Sequence, residues 1–513
     1  MFERLPPDDV AGLDDAGVVS AISTWSAVES AAAARRLAAI AELLSRRGDE
    51  ALDMWAFDGW DCAAAEVAAA LTISHAKASS QLHLAVALRD RLPKVRALLA
   101  AGRLSVRVAS TIAWRTALAS DEVVGELDAQ ISATATRWGA LSDAKLAAAI
   151  DVVIDRMDPA ALRHSRTSAR ARDVVIGDRD DSGGLTSFWG RLYATDAEVL
   201  KRRLTAMVHG VCDDDGRTLR QRRADALGAL AAGSLQLRCQ CGNPACAAGA
   251  VNDGPAASVV VHVVAESTAL AERPDPAMNG NDPVPDTTPA AAEPAAAEPP
   301  GGSPDESRVS GARPTAVLAG VGPIPTSLLA ELIAAGATVR DVRDMTATSA
   351  EPRYTPSSAL QDFVRARDLT CRFPGCDAPA ETCDCDHTTP YPAGPTHPSG
   401  LKCLCRKHHL LKTFFSGPGG WRDEQHPDGT VVWTAPTGHT YTTVPGARLH
   451  FPGWNTRTGE LPATVSQRPT AAPAGLTMPR RRRTRAADRA RRTAYERSLN
   501  DALVAERNRP PPF

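Results

Sequence analysis

Aromatic residues are scarce, at 4% of a 513-residue chain in which 43% of residues are apolar. A core with few large rings has to be filled by small aliphatics, and alanine dominates the apolar count. Alanine gives up no side-chain entropy in a helix, so the expected fold class is mainly α. No run is apolar and long enough to span a bilayer, which excludes a membrane-spanning helix and a membrane partner of that kind. The first twelve residues are acidic and lack the basic-then-apolar pattern of a secretory leader, so a cytoplasmic location is expected. The cysteine count, 11, is odd. In a cytosolic chain that argues against a disulfide framework and towards metal ligation. The length exceeds what one hydrophobic core serves, which predicts a multidomain protein.

Helical patterns fill the first half. Residues 14–47 read as one helix, with Asp14 or Asp15 as its cap and Gly48 as its stop. Residues 63–157 continue as short amphipathic helices separated by Gly, Pro or Ser. Within them, residues 66–88 form two helices around a polar break (Thr72, Ile73, Ser74). This is either a helix-turn-helix presenting His75, Lys77, Ser79, Ser80, Gln81 and His83, or an ordinary packed pair. From 173 the runs DVVIGD and LTSFWGRLYA alternate as strands do. Helices are expected near 195–209 and over RTLRQRRADALGALAAG, and a strand over 258–264. The reading is a mainly helical domain, 1–264, with a small β element.

A Pro/Ala-rich linker, 265–312, cannot bury enough apolar surface to offset its ordering entropy, so disorder is expected there. A connecting helical element (313–350) follows, then a domain over 351–460. The tail, 461–513, is basic: from Met478 onward it carries 11 Arg and no Lys against four acids. It reads as a largely disordered, phosphate-attracting arm, helical in part when bound, or as a solvated tail without a partner.

Nine of the cysteines fall in two clusters. In the stretch 371–412, Cys371 and Cys376 form a loop pair, and Cys405 and His408 form a pair on a helix. Two such pairs can converge on one tetrahedral zinc that staples a small module; the alternative is reduced, buried thiols. Beside them, Asp386 and His409 can hold one divalent cation (Mg, Mn or Zn) through oxygen and nitrogen. His387 can take a proton from water as general base. Lys402, Arg406, Lys407 and Lys412 would meet phosphates, or else form a solvated helix face. Cys383, Cys385 and Cys403 read as buried or half-buried thiols, and His397 and His426 as surface residues. The second cluster, Cys239, Cys241 and Cys246, could bind another zinc with His262 as fourth ligand, or be free thiols in a turn. Cys62 and Cys212 read as core residues.

The run CRFPGC…CDCDH…P…G…L…LCRKHHLLK resembles the HNH endonuclease motif. The following WRDEQHPDGTVVWTAPTGHTYTT resembles the β-hairpin that accompanies it in one group of actinobacterial proteins. RQRRADALGALAAG and CQCGNPAC resemble that group's helical domain of unknown function. On these motifs the chain resembles the thirteen-E-twelve repeat family over most of its length. The resemblance implies a ββα-metal (HNH, His-Me finger) domain with His387 as general base, Asp386 and His409 as ligands of the catalytic ion, and Cys371, Cys376, Cys405 and His408 as structural-zinc ligands. One position departs: Gly400 stands where the motif has an Asn that ties down the loop and orients the base. The expected function is metal-dependent hydrolysis of phosphodiester bonds in DNA, with RNA as a rival substrate and no small-molecule cofactor. The alternative is a weakened or inactive zinc-stabilised nucleic-acid-binding module.

Overall fold

The computed structural model describes residues 10–138, 141–162, 173–179, 185–192, 194–249, 262–275, 315–319, 322–334, 336–416, 419–461 and 477–509. The described chain is mainly helical with small sheets. It opens on α1 (Asp15–Arg47), where the Asp14 carboxylate accepts the Gly17 N–H and Gly48 follows the last turn, as the sequence predicts. Then come α2 (Gly59–Leu71), α3 (His75–Val86), α4 (Pro93–Ala100), α5 (Val106–Arg115), α6 (Asp121–Ala135) and α7 (Asp143–Met157). Their core is aliphatic, with Leu82, Leu99, Ile112, Leu127, Ile131, Ile150 and Ile154 fully buried. Buried Asp128 of α6 accepts the backbone N–H groups of Lys94 and Val95, satisfying the start of α4.

The α2–α3 pair meets the break predicted at Thr72 to Ser74, with Thr72 left-handed at φ 52°. Three of the residues named for a DNA-facing helix are committed elsewhere. The His83 ring packs tilted against Trp60 at 4.4 Å, Ser79 accepts the Trp60 indole N–H, and His75 lies against Asp61. The packed-pair reading fits this geometry.

A hairpin, β1 (Asp173–Arg179) with β2 (Thr186–Arg191), precedes α8 (Ala194–His209) and α9 (Leu219–Ala231). β3 (Val263–Ala265), β4 (Ala316–Leu318) and β5 (Gly322–Ile324) form one antiparallel sheet, followed by α10 (Thr326–Ala334). Most of the predicted linker, and most of the strand predicted over 258–264, lie outside the described residues. The predicted linker start at 265 needs correction. Residue 265 is in a strand, and a 3-10 turn (Ser267–Ala271) buries Ala269 against the sheet. Segments on both sides of the linker thus share a sheet, because strand pairing satisfies their backbone groups where neither has a core of its own.

The C-terminal part holds α11 (Ser358–Asp368), β6 (Cys383–His387), β7 (Leu401–Cys405), α12 (Arg406–Phe414), a meander of β8 (Arg422–Gln425), β9 (Val431–Thr434) and β10 (Thr440–Thr443), then α13 (Ala447–His450) and α14 (Arg485–Arg507). The scarce aromatics gather here: Phe373 lies 4.9 Å from Trp421 and 5.1 Å from Trp433, all three buried. This core also takes in Phe57, Ala65 and Ala69 from the helical part and Met478 from the tail. The predicted domain boundaries therefore cross a common core.

The tail reading also needs correction. Of residues 461–513, residue 461 and those from 477 to 509 are described, and α14 packs along the bundle. Arg485 Nε reaches Asp58 at 2.6 Å, Arg497 reaches Asp158 at 2.7 Å, and Asn500 donates to the Ala160 and Leu162 carbonyls. The arginines' acceptors are buried carboxylates at helix ends, which a composition argument cannot see.

Candidate functional site

In the β6–β7 pair, Asp386 stands opposite Lys402, Cys385 opposite Cys403 and Cys383 opposite Cys405. Strand alternation sends Asp384 and Asp386 to one face and the cysteines to the other. α12 follows β7 directly, and helical spacing divides its side chains between the two sides. His409 and Lys412 meet the acidic face, while His408 turns to the thiols.

On the thiol side, one donor atom each from Cys371, Cys376, Cys405 and His408 lies within 4.8 Å of the others. His408 Nδ1 is 3.3 Å from Cys405 Sγ and 3.5 Å from Cys371 Sγ, and its ring stacks on Phe373 at 4.0 Å. Three thiols and an imidazole at tetrahedral spacing fit a structural metal ion, zinc by their chemistry. The loop of the first pair turns at Gly375, whose φ is +72° and whose missing side chain leaves room for the end of α2. A Cβ there would sit 2.5 Å from the Ile73 carbonyl oxygen. Cys383 and Cys403 are buried and Cys385 half-buried, outside this group.

On the acidic side, Asp386 is 7% exposed. Its Oδ2 accepts Lys402 Nζ at 3.0 Å and also Lys412 Nζ, which in turn donates to the His387 carbonyl. Lys402 also pairs with Asp423 at 2.6 Å. Burial works to raise the Asp386 pKa, but Lys412, Lys402 and His409 outweigh it and hold the carboxyl well below the usual range. Asp386 Oδ1 is 3.6 Å from His409 Nε2, and His409 Nδ1 is 2.7 Å from Asp384 Oδ2. That carboxylate favours the Nδ1–H tautomer and leaves Nε2 as the donor atom beside Asp386. One oxygen and one nitrogen therefore face a common point, where Asp386 and His409 could hold a divalent ion.

His387 is 7% exposed. Thr396, fully buried, donates its hydroxyl proton to the Arg353 carbonyl at 2.5 Å, so its oxygen accepts from His387 Nε2 at 2.9 Å. The lone pair is then on Nδ1. Tyr354 stacks on the ring at 5.3 Å. Burial depresses the His387 pKa below its ordinary value, more than Asp386 raises it. The imidazole is neutral at pH 7 and able to accept a proton.

At Gly400, where the resemblance expects an Asn that orients this histidine, there is no side chain to do so. The loop is secured by other groups. Arg367 donates to the Pro398 and Leu401 carbonyls, each at 2.8 Å, and Gln425 donates to Leu401 at 2.9 Å. His397, read as a surface residue, is buried at 4% exposure, bonds the Thr348 carbonyl and accepts the Ser399 N–H. Asp384, Thr396 and Tyr354 were missed altogether. The Asp384-x-Asp386 alternation could have flagged the first; no sequence signal marks the other two.

Two of the four predicted phosphate-binding residues are turned inward. Lys402 is fully buried and Lys412 nearly so, because each neutralises a buried carboxylate that would otherwise be unpaired. Lys407 leans on Asp61 of α2 at 3.4 Å. Arg406 is exposed, 3.9 Å from Asp384. In the other cluster, Cys239, Cys241 and Cys246 gather with Cys212. His262, the predicted fourth ligand, is exposed and outside that group, and Cys212 is a cluster member instead of a core residue.

The geometry defines a mainly helical protein carrying two cysteine clusters able to hold metal and a buried acid–histidine site beside one of them. Residues 26–289 match the family described as "Domain of unknown function (DUF222)", and the chain belongs to that family. It is 57% identical over 519 residues to the uncharacterized proteins MT2160 and Rv2100 of Mycobacterium tuberculosis, covering 100% of this chain and 93% of each relative. It is 54% identical over 508 residues to the uncharacterized protein Rv3776 of the same organism, covering 99% of this chain and 93% of the relative. No solved structure matches the chain.

Proposed function

We propose that this protein is a metal-dependent HNH endonuclease that hydrolyses phosphodiester bonds in DNA. The observation that carries the reading is the strand–strand–helix succession β6–β7–α12, which sets His387, Asp386 and His409 together beside the Cys371, Cys376, Cys405, His408 group. His387 Nδ1 accepts a proton from water while Nε2–H stays on Thr396. The water oxygen bonds to phosphorus, and the bond to the 3′ oxygen breaks. A divalent ion held by Asp386 and His409 would offset the charge building on the phosphate and the leaving oxygen. Asp384 fixes the His409 ring, and exposed Arg406 meets the backbone phosphates.

The test is nicking of supercoiled plasmid by the full-length chain, since the nuclease segment shares its core with the helical part. Mg²⁺, Mn²⁺ and Ni²⁺ are compared, with His387→Ala alongside. Metal-dependent nicking that falls about 10²- to 10⁴-fold in the variant supports the reading, that being the usual worth of a general base. A folded, zinc-loaded protein that nicks with no metal would overturn it. RNA competing better than DNA would shift the substrate class.

A second reading draws on the two lysines already engaging Asp386 Oδ2 and on Gly400: a zinc-stabilised module that binds nucleic acid without cutting. It predicts steeply salt-dependent binding and no nicking.

A further inference from the structure

The segment that follows α8 and the segment that follows α9 meet around four thiols. One sulfur each from Cys212, Cys239, Cys241 and Cys246 lies within 4.8 Å of the others. Four thiolates on one tetrahedral zinc, at the usual Zn–S length of about 2.3 Å, would stand about 3.8 Å apart. The Cys212 and Cys239 sulfurs are 3.3 Å apart, too far for a disulfide bond of about 2.05 Å.

The backbone closes the segment around the thiols: the Cys239 N–H donates to the Ala248 carbonyl at 2.9 Å, and the Cys246 N–H donates to the Asn243 carbonyl at 3.0 Å. The turn of the last pair needs Gly242 at φ +73°.

A buried ion pair holds the two segments in register. Asp215 and Arg217 bond at 2.7 Å, both buried. Arg217 Nη2 also donates to the Arg238 carbonyl at 2.7 Å, and Asp215 Oδ2 accepts the Gln240 N–H at 2.9 Å. The cross-links therefore land on the residues flanking Cys239. The apolar core beside them is small: Met207, Val208, Val211, Ala226 and Leu237 with Cys239 itself. So small a core rarely holds a unit together without a staple.

We propose that Cys212, Cys239, Cys241 and Cys246 bind a second structural zinc that clamps the α8–α9 hairpin shut. Four protein ligands leave no open position, so the site is structural, not catalytic. It stands apart from the nuclease reading and does not depend on it.

The test uses the full chain purified with reductant and without added metal. Elemental analysis is expected to find two zinc per chain. Cys241→Ser with Cys246→Ser removes one, and Cys376→Ser removes the other while leaving the first. Wild-type protein gives a readout that needs no variant: native iodoacetamide labelling followed by peptide mass. The four thiols are expected to resist alkylation until zinc is extracted. Cobalt replacing zinc is expected to show thiolate-to-metal charge-transfer absorption that falls by about half in the double variant. One zinc per chain with the double variant unchanged would overturn the proposal. So would rapid native alkylation of these thiols, disulfides among them, or iron held in place of zinc.

Discussion

The two cysteine clusters sit in opposite settings. The Cys371 group is built into a core with five buried aromatic residues, shared with α2 and the tail. The Cys212 group has a core of five aliphatic residues and one of its own cysteines. The same ligand chemistry then does different work. A metal in the first adds to packing that already exists, and it fixes the start of α12, where His409 and Lys412 project. A metal in the second substitutes for packing that the sequence does not supply.

The sharpest way to break that comparison is to strip metal with a chelator and follow hydrogen exchange. Exchange over 204–249 is expected to rise close to the rate of unfolded chain, while Phe363, Leu401 and Trp433 keep measurable protection. Equal loss in both regions would mean that the larger core contributes no independent stability.

The next largest effect comes from Lys402→Met. It leaves Asp386 and Asp423 to share Lys412, and breaking such a buried pair typically costs about 3–5 kcal/mol. Denaturant unfolding at the C-terminal core should register it. No measurable change would place the charges in water. The same cluster gives a pH effect. Asp386 has its pKa lowered on folding, so it contributes stability above the unfolded carboxyl value of about 3.9, and that stability is lost as pH falls below it.

If the nuclease reading holds, His387 must be neutral to act. Its depressed pKa then places the midpoint of the acid limb below the ordinary histidine value of about 6.5. A limb centred above 6.5 would point to another base. Releasing the tail is a smaller perturbation. Arg481→Ala with Arg485→Ala takes two part-exposed guanidinium groups away from the buried carboxylates of Asp58 and Asp61, a loss of roughly 1–3 kcal/mol. Faster tryptic cleavage near 477–490 would report it. The least effect is expected from Gly400→Asn, where the new Cβ would meet Leu461 at 3.3 Å and the Pro395 carbonyl at 3.5 Å. A stability change within about 0.5 kcal/mol is the expected outcome.

The Cys371 ligand group was legible because both pairs are local: a short loop and one helical turn fix each pair before any long-range folding. Cys212 was not legible, since 27 residues and a whole helix separate it from Cys239. Lys402 was misread for a related reason. A lysine near a histidine-rich helix reads as a surface cation until strand register sets it opposite Asp386. The tail shows the same limit: Arg485 and Arg497 pair with buried carboxylates of the bundle, which the composition of the segment does not reveal.

The sequence by itself determined the helical character, the bounds of α1, the turn between α2 and α3, and the pairing of ligands a few residues apart. These depend on propensity, caps and local spacing, which act within one or two turns of chain. The tertiary structure alone decided that the helical and cysteine-rich parts share a core, that Thr396 sets the His387 tautomer, and which lysines are buried. Each of those depends on long-range contacts between segments far apart in the chain, and no local pattern encodes the partner.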